Sequence, residues 1–89
     1  MSEQYQLYKS DTCGFCFRVR AYAEQLGMDL PLRDINSDPE AFRELLQGGG
    51  RSTVPCLRIE RAGDAGTEVQ WLYESMDIMG YLGSGAASA

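Results

Sequence analysis

Apolar and polar positions along the 89-residue chain change period several times, and each change marks an element. Tyr5 to Lys9 is short, aromatic-rich and bounded by Ser10-Asp11-Thr12, which predicts a strand running into a loop. From Phe15 the apolar residues Phe15, Val19, Tyr22, Ala23 and Leu26 recur at spacings of three and four, predicting a helix with Gly27 as its C-cap. Leu30-Pro31-Leu32-Arg33-Asp34-Ile35 returns to period two, and Pro31, which cannot donate to a ladder, places that strand at a sheet edge. A second helix opens at Asp38-Pro39. Proline biases the residue before it out of helical geometry, so Asp38 is the N-cap and Pro39 occupies N1. Ala41, Phe42, Leu45 and Leu46 form its expected buried stripe, and Gly48-Gly49-Gly50 ends it. Cys56 to Glu60 and Thr67 to Leu72 read as strands joined by a hairpin loop, Arg61 to Gly66. Ser75 is expected to cap a third helix running through Ile78 and Leu82, with Glu74 and Asp77 near its positive end.

The resulting order, β-α-β-α-β-β-α, is that of an α/β domain. Two parallel strands with a right-handed crossover, extended by an antiparallel hairpin and covered by helices on both faces, is the compact solution. The chain length supports one domain, residues 1–83; residues 84–89 are small and polar and read as a disordered tail. Tyr8, Phe15, Tyr22, Phe42 and Trp71 are the aromatic core candidates, with Phe15 also placed to shape a groove.

A net charge of −5, with the arginines scattered, argues against a nucleic-acid partner, which needs a basic face to neutralise phosphates. No apolar run approaches the roughly 20 residues that span a bilayer, and Met1-Ser2-Glu3-Gln4 lacks the features of a signal peptide. A soluble cytoplasmic protein is therefore expected.

The chemistry centres on Thr12-Cys13-Gly14-Phe15-Cys16, a C-x-x-C pair where a strand gives way to a helix. The unpaired N–H groups and macrodipole of a helix N-terminus favour an anion there. A free thiol with a pKa of roughly 8.5 is only about 3 % ionised at pH 7, so lowering it by about two units makes the thiolate the majority species. Cys56, the odd thiol, reads as a small, poorly reactive strand residue on the same face as Arg58 and Glu60. A zinc site built from the three cysteines lacks a fourth protein ligand, since the chain has no histidine.

The Cys13–Cys16 motif, Thr53-Val54-Pro55 entering a strand, and Leu72-Tyr73-Glu74-Ser75 entering the last helix together resemble a glutaredoxin of the thioredoxin fold, over residues 4 to 82. Glu74-Ser75 and the following Asp77 to Leu82 are also similar to the glutathione-binding N-terminal domain of glutathione transferases. The resemblance implies a thioredoxin-like four-stranded mixed sheet and a glutathione-dependent thiol-disulfide oxidoreductase. Cys13 would be its nucleophile and Cys16 its resolving thiol, acting on disulfide-containing or glutathionylated proteins.

It also implies a cis Pro55 against Cys13, Thr53 and Val54 holding the cysteinyl part of glutathione, and Ser75 and Glu74 receiving its γ-glutamyl end. The glycine carboxylate needs a cation, for which Lys9, Arg43 and Arg51 are candidates. Gly14 stands where many dithiol members have proline. Relatives lacking that proline include some that bridge two subunits through a [2Fe-2S] cluster with glutathione as co-ligand, so the alternative is a glutathione- or cluster-binding delivery or sensing module. A monomer is expected unless a cluster bridges two chains.

Overall fold

The computed structural model describes residues 3–63 and 66–83. Four strands, β1 (Glu3–Lys9), β2 (Leu32–Asp34), β3 (Cys56–Gly63) and β4 (Gly66–Leu72), form one mixed sheet in the order β2-β1-β3-β4. β1 and β2 run parallel, and β3 is antiparallel to both β1 and β4. Helices α1 (Gly14–Gln25) and α3 (Ser75–Gly83) pack on one face; α2 (Pro39–Glu44), continued by a wide turn at Leu45–Gly49, lies on the other. This is the thioredoxin-like arrangement of four mixed strands between helices.

The alternation of the strands divides the core in two. Leu7, Leu57 and Ile59 point to the α1/α3 side, where they bury Val19, Ala23, Ile78 and Leu82. Tyr8 and Cys56 point the other way, onto Ala41 and Leu45. Leu32, Leu7, Leu57 and Leu72 stand side by side across all four strands, an apolar row through the middle of the sheet. β2 is the expected edge strand; Pro31 lies just before it, its carbonyl accepting from the Leu7 N–H at 2.9 Å. At the end of the sheet remote from the cysteine pair, Arg61 binds Glu3 at 2.6 Å, Gln70 at 2.9 Å and Tyr81 at 3.1 Å, joining β1, β3, β4 and α3.

Asp38 caps α2 as its sequence requires, accepting from the Glu40 and Ala41 N–H groups, with Pro39 at N1. Gly27 follows α1 with φ 74°, a left-handed value that suits glycine. Four expectations need correction. On α1 Val19 and Ala23 are buried and Tyr22 packs against them as expected, while Phe15 and Leu26 are exposed and Cys16, in place of Phe15, takes the inward position. Of the stripe expected on the second helix only Ala41, in α2, and Leu45, in the wide turn after it, are buried, and Phe42 and Leu46 lie outside. Ladder pairing continues through Arg61–Glu68, Ala62–Thr67 and Gly63–Gly66, so the hairpin is tighter than the sequence suggested; Asp64 and Ala65 lie outside the described residues. Finally, the Glu74 carbonyl accepts the first helical bond, from Ile78 N–H at 2.9 Å, so Ser75 is the first residue of α3 rather than its cap. The expected tail, residues 84–89, also lies outside the described residues.

Burial gives Cys56 a measurable signature. Its side chain is fully inaccessible, and desolvation pushes its thiol up to about 12. Below about pH 8.5 both folded and unfolded chains keep this thiol protonated. Above it the unfolded chain ionises first, so stability falls as pH rises toward about 12. Urea unfolding at about pH 7.5 and about pH 9.5 should show Cys56→Ala losing about 1 kcal/mol less than the wild type over that interval.

Candidate active site

Antiparallel pairing brings three chain reversals to one end of the sheet. Tyr8 stands opposite Cys56, so the loop leaving β1 and the loop entering β3 meet there. Leu57 stands opposite Leu72, which brings the start of α3 to the same end. Cys13 is the N-cap of α1, and its sulfur accepts a hydrogen bond from the Cys16 N–H at 3.3 Å. The Val54–Pro55 peptide bond is cis, and the Val54 carbonyl oxygen lies 3.7 Å from the Cys13 sulfur.

The three thiols differ in access. Cys13 is half-buried, Cys16 is 1 % exposed and Cys56 is buried. Desolvation, reinforced by the hydrogen bond to Cys13, pushes the Cys16 thiol up to about 12. One sulfur of the pair is therefore presented to solvent while its neighbour is held as a neutral thiol.

Beside Cys13 runs a groove of about 210 Å³ lined by Phe15, Arg51, Thr53, Val54, Pro55, Tyr73, Glu74 and Ser75. Six of these, Arg51, Thr53, Val54, Pro55, Glu74 and Ser75, are the residues assigned from sequence to glutathione. Phe15, for which the sequence offered the core or a groove, forms part of this wall. Lys9 and Arg43 are placed differently. The Lys9 ammonium is buried against Asp11 at 2.5 Å and Asp34 at 3.4 Å, and Asp11 holds it above its ordinary value. Arg43 is exposed in the last turn of α2 and does not line the groove.

Sequence reasoning overlooked Tyr73. Its hydroxyl accepts from the Arg51 N–H at 3.3 Å and lies 3.1 Å from the Arg51 carbonyl oxygen. The signal available was its position immediately before Glu74-Ser75, at the end of a strand whose neighbour begins beside Pro55.

A larger cavity, of about 580 Å³, opens on the α2 side of the sheet away from Cys13. Its arginines are occupied by its own glutamates, Arg33 with Glu44 at 3.0 Å and Arg58 with Glu60 at 2.8 Å.

The sequence pattern of the glutaredoxin family matches residues 6–62, more than half of the chain and inclusive of both site cysteines and the cis proline. The chain belongs to the glutaredoxin family. Among solved structures, this glutaredoxin chain is 25 % identical to a maleylacetoacetate isomerase from Anaeromyxobacter dehalogenans with dicarboxyethyl glutathione and citrate in its active site. That match has a TM-score of 0.68 over 93 % of this chain and 37 % of the isomerase. A trimeric glutathione transferase from Leishmania is 32 % identical, with a TM-score of 0.68 over 96 % of this chain and 18 % of its own. A glutaredoxin from Brucella melitensis shares the fold at 18 % identity, with a TM-score of 0.58 over 93 % of this chain and 80 % of its own. The chain thus spans less than two fifths of the transferase-like structures it matches. No curated protein matches the sequence.

A [2Fe-2S] cluster takes four ligands, and each chain presents one accessible sulfur, Cys13, so the alternative needs a second chain and two glutathione thiolates to complete the set. Among the described residues no group of three or more His, Cys, Asp or Glu is placed to hold a metal. No helix among the described residues is long and apolar enough to cross a membrane.

Differential access is directly testable. Brief treatment of the reduced native protein with iodoacetamide at neutral pH, followed by peptide mapping, should label Cys13 and leave Cys16 and Cys56 unmodified until denaturant is added.

Proposed function

We propose that this glutaredoxin is a glutathione-dependent thiol-disulfide oxidoreductase that removes glutathione from mixed disulfides through Cys13. The observation that carries the reading is the placement of an accessible sulfur, at a helix N-terminus, at the mouth of a groove lined by Thr53, Val54, Glu74 and Ser75. Dicarboxyethyl glutathione in the active site of the 25 % identical isomerase supports a glutathione-type ligand here. Thr53 and Val54 lie outside the ladder, where their backbone can pair with an extended tripeptide as an added strand would. The γ-glutamyl carboxylate meets the first turn of α3, with Ser75 at its first position, and Glu74 accepts from the γ-glutamyl ammonium. Of the three candidate cations Arg51 alone lines the groove, and it is assigned to the glycine carboxylate.

In the first step the Cys13 thiolate attacks the glutathionyl sulfur of a mixed disulfide. The new Cys13–glutathione bond forms as the old S–S bond breaks, and the protein thiolate leaves and takes a proton from solvent. A second glutathione thiolate then attacks the same glutathionyl sulfur, releasing glutathione disulfide and restoring Cys13. Cys16 offers a different exit, attack on the Cys13 sulfur to form an internal disulfide and expel glutathione. Its burial and neutral thiol disfavour that exit, because the thiolate is the attacking species.

The two exits separate by mutation. On a glutathionylated peptide with glutathione as reductant, Cys13→Ser should abolish release of the peptide thiol, while Cys16→Ser should retain at least about half of the wild-type rate. Full activity in Cys13→Ser would overturn the assignment; loss of activity in Cys16→Ser would make the internal disulfide obligatory.

A further inference from the structure

The loop from Gly50 to Val54 carries Arg51 and Thr53 into the groove, yet it belongs to no helix or strand. A loop without a ladder needs other partners if its side chains are to hold one geometry. Tyr73 supplies them from the opposite wall. Its hydroxyl accepts from the Arg51 N–H at 3.3 Å, and its own proton faces the carbonyl oxygens of Arg51 at 3.1 Å and Leu45 at 3.4 Å. The Arg51 guanidinium folds over the same ring, 4.9 Å from its centroid. Backbone and side chain of Arg51 therefore both rest on one phenol.

The approach is close enough to dictate the facing residue. A Cβ on Gly49 would overlap the Tyr73 hydroxyl, so glycine at 49 is what lets the ring reach the loop. Burial raises the Tyr73 phenol above its ordinary value, which keeps its proton available as a donor at neutral pH. A cation seated on an aromatic face is held by the ring's quadrupole while its N–H fork stays free to meet a carboxylate.

We propose that Tyr73 is the positioning residue of the glutathione groove, holding Arg51 in place to read the glycine carboxylate of the tripeptide. This rests on the glutathione-dependent function proposed above and names the part of the substrate that the Tyr73–Arg51 pair recognises. The glutathionyl group reaching Cys13 is thereby selected at its glycine end before the sulfurs exchange.

The test is a single-turnover reaction of the fully reduced chain with two mixed disulfides of one cysteine peptide. One carries glutathione and the other carries glutathione amidated at glycine. Tyr73→Phe, which keeps the ring and loses the hydroxyl, should raise the half-saturating concentration of the first substrate about fivefold, the effect of one hydrogen bond. Its maximal rate should stay unchanged, and the amidated substrate should shift by less than about twofold. Arg51→Met should show the same selectivity, and the double variant should be no worse than Arg51→Met alone, as expected for two residues acting as a unit.

Equal losses on both substrates, or additive losses in the double variant, would overturn the proposal. So would a wild type indifferent to amidation, even if it transfers the glutathionyl group normally. A wild type that transfers no glutathionyl group to Cys13 would instead remove the functional reading itself. Amide hydrogen exchange at Arg51 in the unmodified protein provides a check independent of any variant's folding: a protected amide supports the contact, and unprotected exchange overturns it.

Discussion

The register of β3 between its two antiparallel neighbours is the constraint on which the rest of this molecule depends. Tyr8 opposite Cys56 and Leu57 opposite Leu72 bring three distant stretches of sequence to one end of the sheet: the Cys13 N-cap, the Val54–Pro55 bond and the first turn of α3. A slip of one residue would turn Leu57 and Ile59 out of the α1/α3 core and set Cys56 and Arg58 into it. Full burial of such an aliphatic side chain contributes about 1.5–3 kcal/mol, so the core enforces the register, and the register assembles the site. None of the groove residues needs to find the others individually.

Much of this was legible in the sequence because it rested on local stereochemistry. Asp38 before Pro39 had one sensible role, Gly27 ended a helix where φ had to turn positive, and Cys13 fell at the strand-to-helix transition. What was not legible depended on tertiary contacts. The burial of Cys16 in place of Phe15 is decided by how α1 seats on the sheet, and a periodicity of three and four does not distinguish stripes one residue apart. Lys9 looked like a free cation beside the motif; only the fold brings Asp34 from the parallel neighbour strand to share it with Asp11. The contact between Tyr73 and Arg51 spans 22 positions and two strands, and no spacing rule reaches that far.

The cysteines show how one element assigns different chemistry to one residue type. Cys13 and Cys16 are a single helical turn apart, yet the first meets solvent and an N–H group that opens α1, while the second is buried. The geometry that presents one sulfur to solvent withholds the other. Cys56 follows the cis proline directly, but strand alternation turns it under α2, onto Tyr8 and Leu45. A thiol next to Pro55 in sequence is thus turned away from Cys13 by a single change of face, onto the α2 side where Tyr73 packs against it.

The Gly48-Gly49-Gly50 run shows why a composition signal can be read correctly at one level and still leave its main purpose unseen. As a helix stop it is sufficient, and Gly50, at φ 84°, closes the wide turn in a left-handed conformation. The other two glycines are explained by approach rather than by conformation. Side chains at 48 and 49 would occupy the space taken by the Trp71 ring and the Tyr73 hydroxyl, respectively. Both aromatics come from the end of β4 and the step after it, so the run lets α2 settle against the far side of the sheet closely enough for Tyr73 to grip the loop that bears Arg51. Two adjacent alanines at 48 and 49 would preserve the helix stop at Gly50 and still part the loop from its support, which separates the architectural duty of the run from its duty to the groove.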